Sequence, residues 1–301
     1  MELVLGSKYL SAEGQNEVRL LEGKDIVRQY TLGEILQIEL GRLAPYSRQV
    51  DRVVIGFVEL QDVDFFQFLP NVKDVWILSP AVKDISGLRY LEQIRSLGID
   101  RPTCRFDVLG ELESLEEIYL DDWRPGANSL FRLRNLVKAG LRKYGLPNLQ
   151  GLANWSYLRE LWISVGKLED LSGIPASITK LRLTDLRRLR SLQPVSACDN
   201  LEELLLQGCR KIRSLDGLQS CRQLRTLSIA KGGQLETLDA VRNLEKLEYV
   251  FLADGTDLQE TDVDALYTLP NLKKLIIDRK SGIDVGKIHR NAPTCDVLLA
   301  S

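Results

Sequence analysis

The sequence predicts a solenoid of about eleven short repeats, each adding one strand to a shared parallel sheet, and three observations carry that expectation. First, a pattern L-x-x-L-x-L begins at Val72, Ile94, Leu115, Leu136, Leu158, Ile178, Leu201, Leu224, Leu247 and Leu272, with spacings of 22, 21, 21, 22, 20, 23, 23, 23 and 25 residues. Second, the first, fourth and sixth positions of these ten repeats make thirty sites, and all thirty are apolar in a chain that is only 44% hydrophobic. Third, a looser apolar set returns after each pattern, as in Val82-Lys-Asp-Ile85-Ser-Gly-Leu88 and Ile212-Arg-Ser-Leu215-Asp-Gly-Leu218. Alternation over six positions marks a half-buried strand, and a unit this short cannot bury its apolar face alone, so neighbouring units must stack.

Each strand is followed by a polar or Gly/Pro-containing bend, such as Ser79-Pro80, Arg101-Pro102, Gln207-Gly208 and Ala253-Asp254-Gly255. A looser copy of the pattern, Val50-Asp-Arg-Val53-Val-Ile55, lies 22 residues before Val72. These limits divide the chain into an N-terminal cap over 1–49, repeats over 50–279 and a C-terminal cap over 280–301. Both caps are expected because the ends of a stack expose an open core and a strand edge. Ile35-Leu-Gln-Ile38-Glu-Leu40 is expected to supply strand in the first cap. Asp284 to Arg290 is expected to form a helical turn or two in the second, broken by Pro293 and closed by a strand at Asp296-Val-Leu-Leu-Ala.

The paired forms L-x-x-L-x-L and I-x-x-L-x-x-L resemble those of leucine-rich repeat proteins, in particular the short-repeat class of bacterial internalins and leucine-rich phosphatase-regulatory subunits. The resemblance covers about residues 50 to 279. It implies an α/β solenoid, a right-handed superhelix with a parallel concave sheet and a convex side of irregular turns, 3-10 pieces and short helices. It also implies Asn or Cys at the ninth position of each repeat, where this chain has Pro80, Pro102, Trp123, Tyr144, Gly166, Leu186, Cys209, Gly232, Gly255 and Lys280. Only Cys209 conforms, so irregular bends are expected.

Composition argues against several functions. Forty Lys and Arg against 42 Asp and Glu give a net charge of −2, which attracts neither nucleic acid nor an anionic membrane. Met1-Glu-Leu-Val-Leu-Gly-Ser-Lys has no basic segment leading into an apolar run, and five cysteines form no disulfide framework, so the expected setting is the cytoplasm. The single histidine, His289, falls in the C-terminal cap and is expected to be a solvated surface residue. No Cys/His cluster has zinc spacing, and Gly282-Ile-Asp-Val-Gly286-Lys287 is one residue too short for a phosphate-cradling loop. The chain is therefore read as non-catalytic, with no cofactor and no metal. Cys198 and Cys221 occupy a position held by leucine in other repeats and are expected to fill the core, although their stacking leaves a disulfide conceivable.

What remains is a sheet on the order of 50 Å long, broad enough for a folded domain or extended peptide. The fifth position of each repeat points out of the sheet between two buried neighbours. Down the stack it reads Val54, Trp76, Gly98, Tyr119, Gly140, Trp162, Arg182, Leu205, Ser228, Phe251 and Ile276. Aromatics and arginine dominate binding hot spots, so Trp76, Tyr119, Trp162, Arg182 and Phe251 are the expected partner-binding residues. The competing explanation is that these side chains cover their own sheet beside Gly98 and Gly140. Arg101, Asp121, Asp122, Arg142 and Lys143, at the seventh and eighth positions, form like-charged patches that would orient a charged partner or serve as solvated rim. The third position alternates in sign through Glu117, Lys138, Glu160, Lys180 and Glu203, a row expected to stabilise the sheet.

The expectation is a cytoplasmic adaptor or inhibitor that binds another protein through its concave face. An immunity or antitoxin-like inhibitor of a toxin and a regulatory subunit of an enzyme are the alternatives within that class. An exported adhesin would need export and anchoring sequences, which are not read here, and a ubiquitin-ligase-like effector would need an added helical catalytic domain, for which the 22 residues after 279 are expected to be too few. The partner's identity and the oligomeric state are not encoded in these patterns.

Overall fold

The computed structural model describes residues 2–7, 16–22, 25–31, 48–56, 60–258 and 260–300. The chain forms two compact units, Met1–Ala139 and Gly140–Ser301.

The first unit begins with strands β1 (Glu2–Ser7), β2 (Asn16–Glu22) and β3 (Asp25–Thr31). β1 pairs antiparallel with β2, and β2 antiparallel with β3. β1 also pairs in parallel with β4 (Arg52–Ile55), which opens the repeats. The ladder continues in parallel through β5 (Asp74–Ile77), β6 (Ser96–Ile99) and β7 (Glu117–Leu120). Register is kept without slippage: Val53 faces Val75, Val75 faces Leu97, and Leu97 faces Ile118. The expected strand at Ile35 to Leu40 lies outside the described residues.

In the second unit the parallel ladder comprises β8 (Lys138–Arg142, whose residues from Gly140 onward belong to this unit), β9 (Glu160–Ser164), β10 (Lys180–Thr184), β11 (Glu203–Gln207) and β12 (Thr226–Ala230). A two-residue strand β13 (Gly233–Gln234) branches off, and the main ladder resumes with β14 (Tyr249–Ala253). β15 (Thr256–Asp257) pairs with β13, and β16 (Lys274–Asp278) and β17 (Asp296–Ala300) complete the sheet. Between the last two strands lies the helix α1 (Val285–Asn291). The Asp284 carboxylate caps it, accepting from the Lys287 N–H at 3.1 Å, and Pro293 follows its end.

The strands span little more than the apolar alternation, and all thirty apolar pattern sites are at most 2% exposed. Taken at about 25 cal/mol per Å² of apolar surface, each fully buried leucine contributes roughly 2 kcal/mol, so a rung of three is a substantial share of local stability. Opposite the sheet, the returning apolar set folds into 3-10 turns such as Asp64–Phe68, Ser86–Tyr90, Asp107–Glu111 and Gln193–Ala197, burying Phe66, Leu88, Leu109 and Val195.

One local device starts most of these turns. A short polar side chain accepts the backbone N–H two residues on, as Asp62 does from Asp64, Asp84 from Ser86, Asn148 from Gln150, Asp170 from Ser172, Ser191 from Gln193, Ser214 from Asp216 and Thr237 from Asp239. Such turns close locally, which explains why Asp, Asn, Ser or Thr recurs just before the second apolar residue of the returning set. The bond from Ser86 holds the Asp84 carboxyl below the usual carboxylate range.

A second device ties five of the rungs to the one before. The residue preceding the repeat start donates to a backbone carbonyl of the previous repeat: Asn71 to Arg48, Ser114 to Ile94, Asn135 to Glu113, Ser177 to Leu158 and Asn271 to Glu245.

Cys198 and Cys221 are fully buried free thiols, as their leucine-type positions require. At the one ninth position that matches the family pattern, the Cys209 thiol approaches the carbonyls of Leu183 and Gln207 at 3.5 and 3.7 Å. Tyr144 and Leu186 fill the same position with buried bulk, and the Tyr144 hydroxyl donates to the Asn148 carbonyl at 3.0 Å.

Candidate functional site

The fifth-position side chains project from the sheet between buried neighbours, and most are half-buried. In the first unit, Trp76, Gly98 and Tyr119 are directly opposite one another on β5, β6 and β7. The indole of Trp76 lies across Gly98 and stacks on Tyr119, with ring centroids 5.6 Å apart and planes inclined by 20°. The glycine is what permits this, because a methyl group there would stand 2.3 Å from the indole Cε3. Two rings and the strand between them thus form one flat apolar strip, partly open to solvent.

In the second unit, Trp162 and Arg182 are neighbours on β9 and β10. The Arg182 guanidinium sits 5.4 Å from the centre of the Trp162 ring and donates to Glu203 Oε1 at 2.8 and 3.1 Å. Arg182 is therefore fixed by a carboxylate on one side and an aromatic face on the other, so little side-chain entropy remains to be lost on binding. Phe251 does not join this pair. Register places Leu205 and Ser228 between Arg182 and Phe251, a separation of three strands or about 14 Å. Phe251 instead faces Ile276 on β16, which faces Leu298 on β17. Leu298 is 44% exposed and belongs to the same row, although sequence reading ended that row at Ile276. The available signal was Asp296-Val-Leu-Leu, which repeats the alternation of the strands before it.

The charged residues expected beside this row stand at the strand ends. Arg101 pairs with its neighbour Asp100 at 3.3 Å, and Asp122 lies 3.8 Å from Arg124. The Lys143 N–H donates to the Ser164 carbonyl at 2.8 Å, and the Asp121 N–H to the Ile99 carbonyl at 3.0 Å, which extends the parallel ladders past the strands. Arg142 and Lys143 are exposed.

The eighth position carries a feature the sequence did not disclose. It is left-handed in seven repeats, at Arg101, Lys143, Val165, Asp185, Gly208, Lys231 and Asp254, with φ between 46° and 69°. One of the seven is glycine and one is β-branched, so residue type gives no common signal for the bend.

The third-position charges form ion pairs between adjacent strands: Lys138 to Glu117 at 2.8 Å and Lys180 to Glu160 at 3.3 Å. Glu203 departs from the simple alternation by accepting from Arg182 of the fifth position. Among the described residues, no group of three or more His, Cys, Asp and Glu side chains is placed to hold a metal ion, and no helix is long and apolar enough to cross a membrane. His289, exposed at the surface, sets its Nε2 3.0 Å from the Cys295 carbonyl oxygen.

Among solved structures, an internalin (inlF) of Listeria monocytogenes is similar at a TM-score of 0.53 and 17% identity, over 86% of this chain and 89% of that one. The fold is that of a leucine-rich repeat protein. Internalin C2 of the same species matches at 20% identity and a TM-score of 0.48, over 57% of this repeat protein and 76% of its own chain. A leucine-rich repeat protein of Leptospira interrogans matches at 14% identity and a TM-score of 0.38, over 86% and 98% of the two chains. No family model matches the repeat protein's sequence, and no curated protein does.

Proposed function

We propose that this chain is a non-catalytic protein-binding module, acting as a cytoplasmic adaptor or inhibitor through the outer face of its sheet. The observation that carries this reading is the Trp76/Tyr119 strip, a rigid, partly solvent-open pair of aromatic rings laid across a glycine. Large aromatic surface held in one geometry costs little entropy to bury, which is the usual anatomy of a hot spot. Trp162 with its oriented Arg182 repeats the theme in the second unit. Five buried, free thiols support a reducing setting.

Within this class, an immunity-type inhibitor of a toxin and a regulatory subunit of an enzyme use the same face and differ in the partner. The test is to identify a partner bound by the wild-type chain in its native host, purify it, and titrate it against wild type and a Trp76→Ala/Tyr119→Ala/Trp162→Ala variant. The expected result is a folded variant with affinity reduced by at least about 100-fold, or roughly 2.7 kcal/mol. Unchanged affinity removes the sheet face as the binding site.

A further inference from the structure

Charges on adjacent rungs are opposite in sign at several places. Arg95 meets Glu116, Lys138 meets Glu117, Lys180 meets Glu160, and Arg225 and Lys273 both meet Glu248. A stretch of the second unit has the opposite character. The segments Arg187-Arg188-Leu189-Arg190 and Arg210-Lys211-Ile212-Arg213 are 23 residues apart and occupy the same place in consecutive repeats, so cation stacks on cation.

Some of these cations are partly neutralised, Arg188 by Glu169 at 3.4 Å and Arg213 by Glu236 at 3.7 Å. Arg187, Arg210 and Lys211 are exposed and form no ion pair among the described residues. These three line one open pocket together with Lys231, Asp185 and Gly208, which sets four cations against one carboxylate. Lys231 has only a long contact to Asp254, at 3.9 Å. Like charges held one strand spacing apart repel, and the energy is recovered when an anion enters between them.

We infer that this pocket is a second docking surface, which takes an acidic, carboxylate-bearing segment of a partner protein. The cations span three rungs, about 10 Å, which an extended peptide covers in roughly three residues. A nucleic acid suits the pocket less well. No aromatic side chain lines it to stack a base. The pocket lies beyond the strand ends, off the sheet face, so substitutions at Trp76, Tyr119 and Trp162 leave it intact.

The test is fluorescence anisotropy of a labelled ten-residue Glu-Gly peptide with the full chain at low salt, beside a Gln-Gly peptide of equal length and a single-stranded DNA 12-mer. The Glu-Gly peptide is expected to bind at least about tenfold more tightly than the Gln-Gly peptide, and an Arg187→Ala/Arg210→Ala/Lys211→Ala variant to lose that preference while melting like the wild type. A control variant outside the pocket, Arg132→Ala/Arg134→Ala, is expected to keep it. Equal affinity for the two peptides, tighter binding of the oligonucleotide, full retention by the triple variant, or the same loss in the control would each overturn the proposal.

Discussion

Gly98 and Trp76 share one volume: the indole occupies the space that a side chain at 98 would need, within 2.3 Å of its first carbon. The aromatic strip on the first unit is therefore built by an absence on β6 as much as by the rings on β5 and β7.

Gly98→Ala should displace the Trp76 ring and destabilise the first unit by about 1–3 kcal/mol, the range for overpacking a filled site. In a Trp76→Ala background the same substitution should cost less than about 0.5 kcal/mol, since the two changes couple only through that contact. Urea denaturation of the four members of the cycle measures this. Additive costs would mean that the ring does not rest on the glycine.

Val165 is β-branched and 41% exposed, yet its φ is 48°. Left-handed backbone costs a β-branched residue more than glycine or asparagine, and little packing is lost on replacement. Val165→Gly and Val165→Asn should each stabilise the second unit by about 1 kcal/mol, seen as a higher denaturation midpoint with unchanged slope.

Burial pushes the Cys198 thiol up to about 12 and the Cys221 thiol up to about 11, from an ordinary value of 9.0. The unfolded chain then loses these protons first. The stability they contribute is complete below about pH 9 and declines as pH rises through the folded values. Denaturation midpoints should fall between pH 9 and 11, and a Cys198→Ala/Cys221→Ala variant should show a shallower fall. At pH 8 a thiol reagent should label neither residue until the chain unfolds.

Asp284→Ala removes the side-chain cap at the N-terminus of α1 and should cost about 1 kcal/mol, confined to the C-terminal end. Amide hydrogen exchange is the appropriate readout. Faster exchange is expected over 285–291 with β9 to β12 unaffected, and a uniform change across the second unit would show that the helix is not a local element.

The parts of this fold that were legible in sequence are those fixed by burial. The positions of Val72, Val75 and Ile77 and their equivalents announce strand, register and core together, because alternation has only one way to face a shared interior. The left-handed bend was not legible, since Arg101, Val165 and Asp254 share a backbone state and no side-chain chemistry. The division into two units was likewise missed, because the pattern runs through it unbroken. β1 to β3 had a signal, the alternation of Leu3 and Leu5 and of Val18 and Leu20, but no repeat to amplify it. At the candidate site, the alternation told which residues share the fifth-position row, whereas the Trp76 stack and the Arg182 clamp depend on rotamers that sequence does not specify.

From Ile178 to Leu247 the repeats keep a uniform 23-residue spacing, and β10, β11, β12 and β14 pair in parallel with no shift of register. Excising 201–223 would join Asn200 to Leu224 and keep the apolar rungs in phase, at the loss of Glu203, the carboxylate to which Arg182 donates. Length in this molecule is thus a counted quantity, open to editing in whole steps of about 4.8 Å.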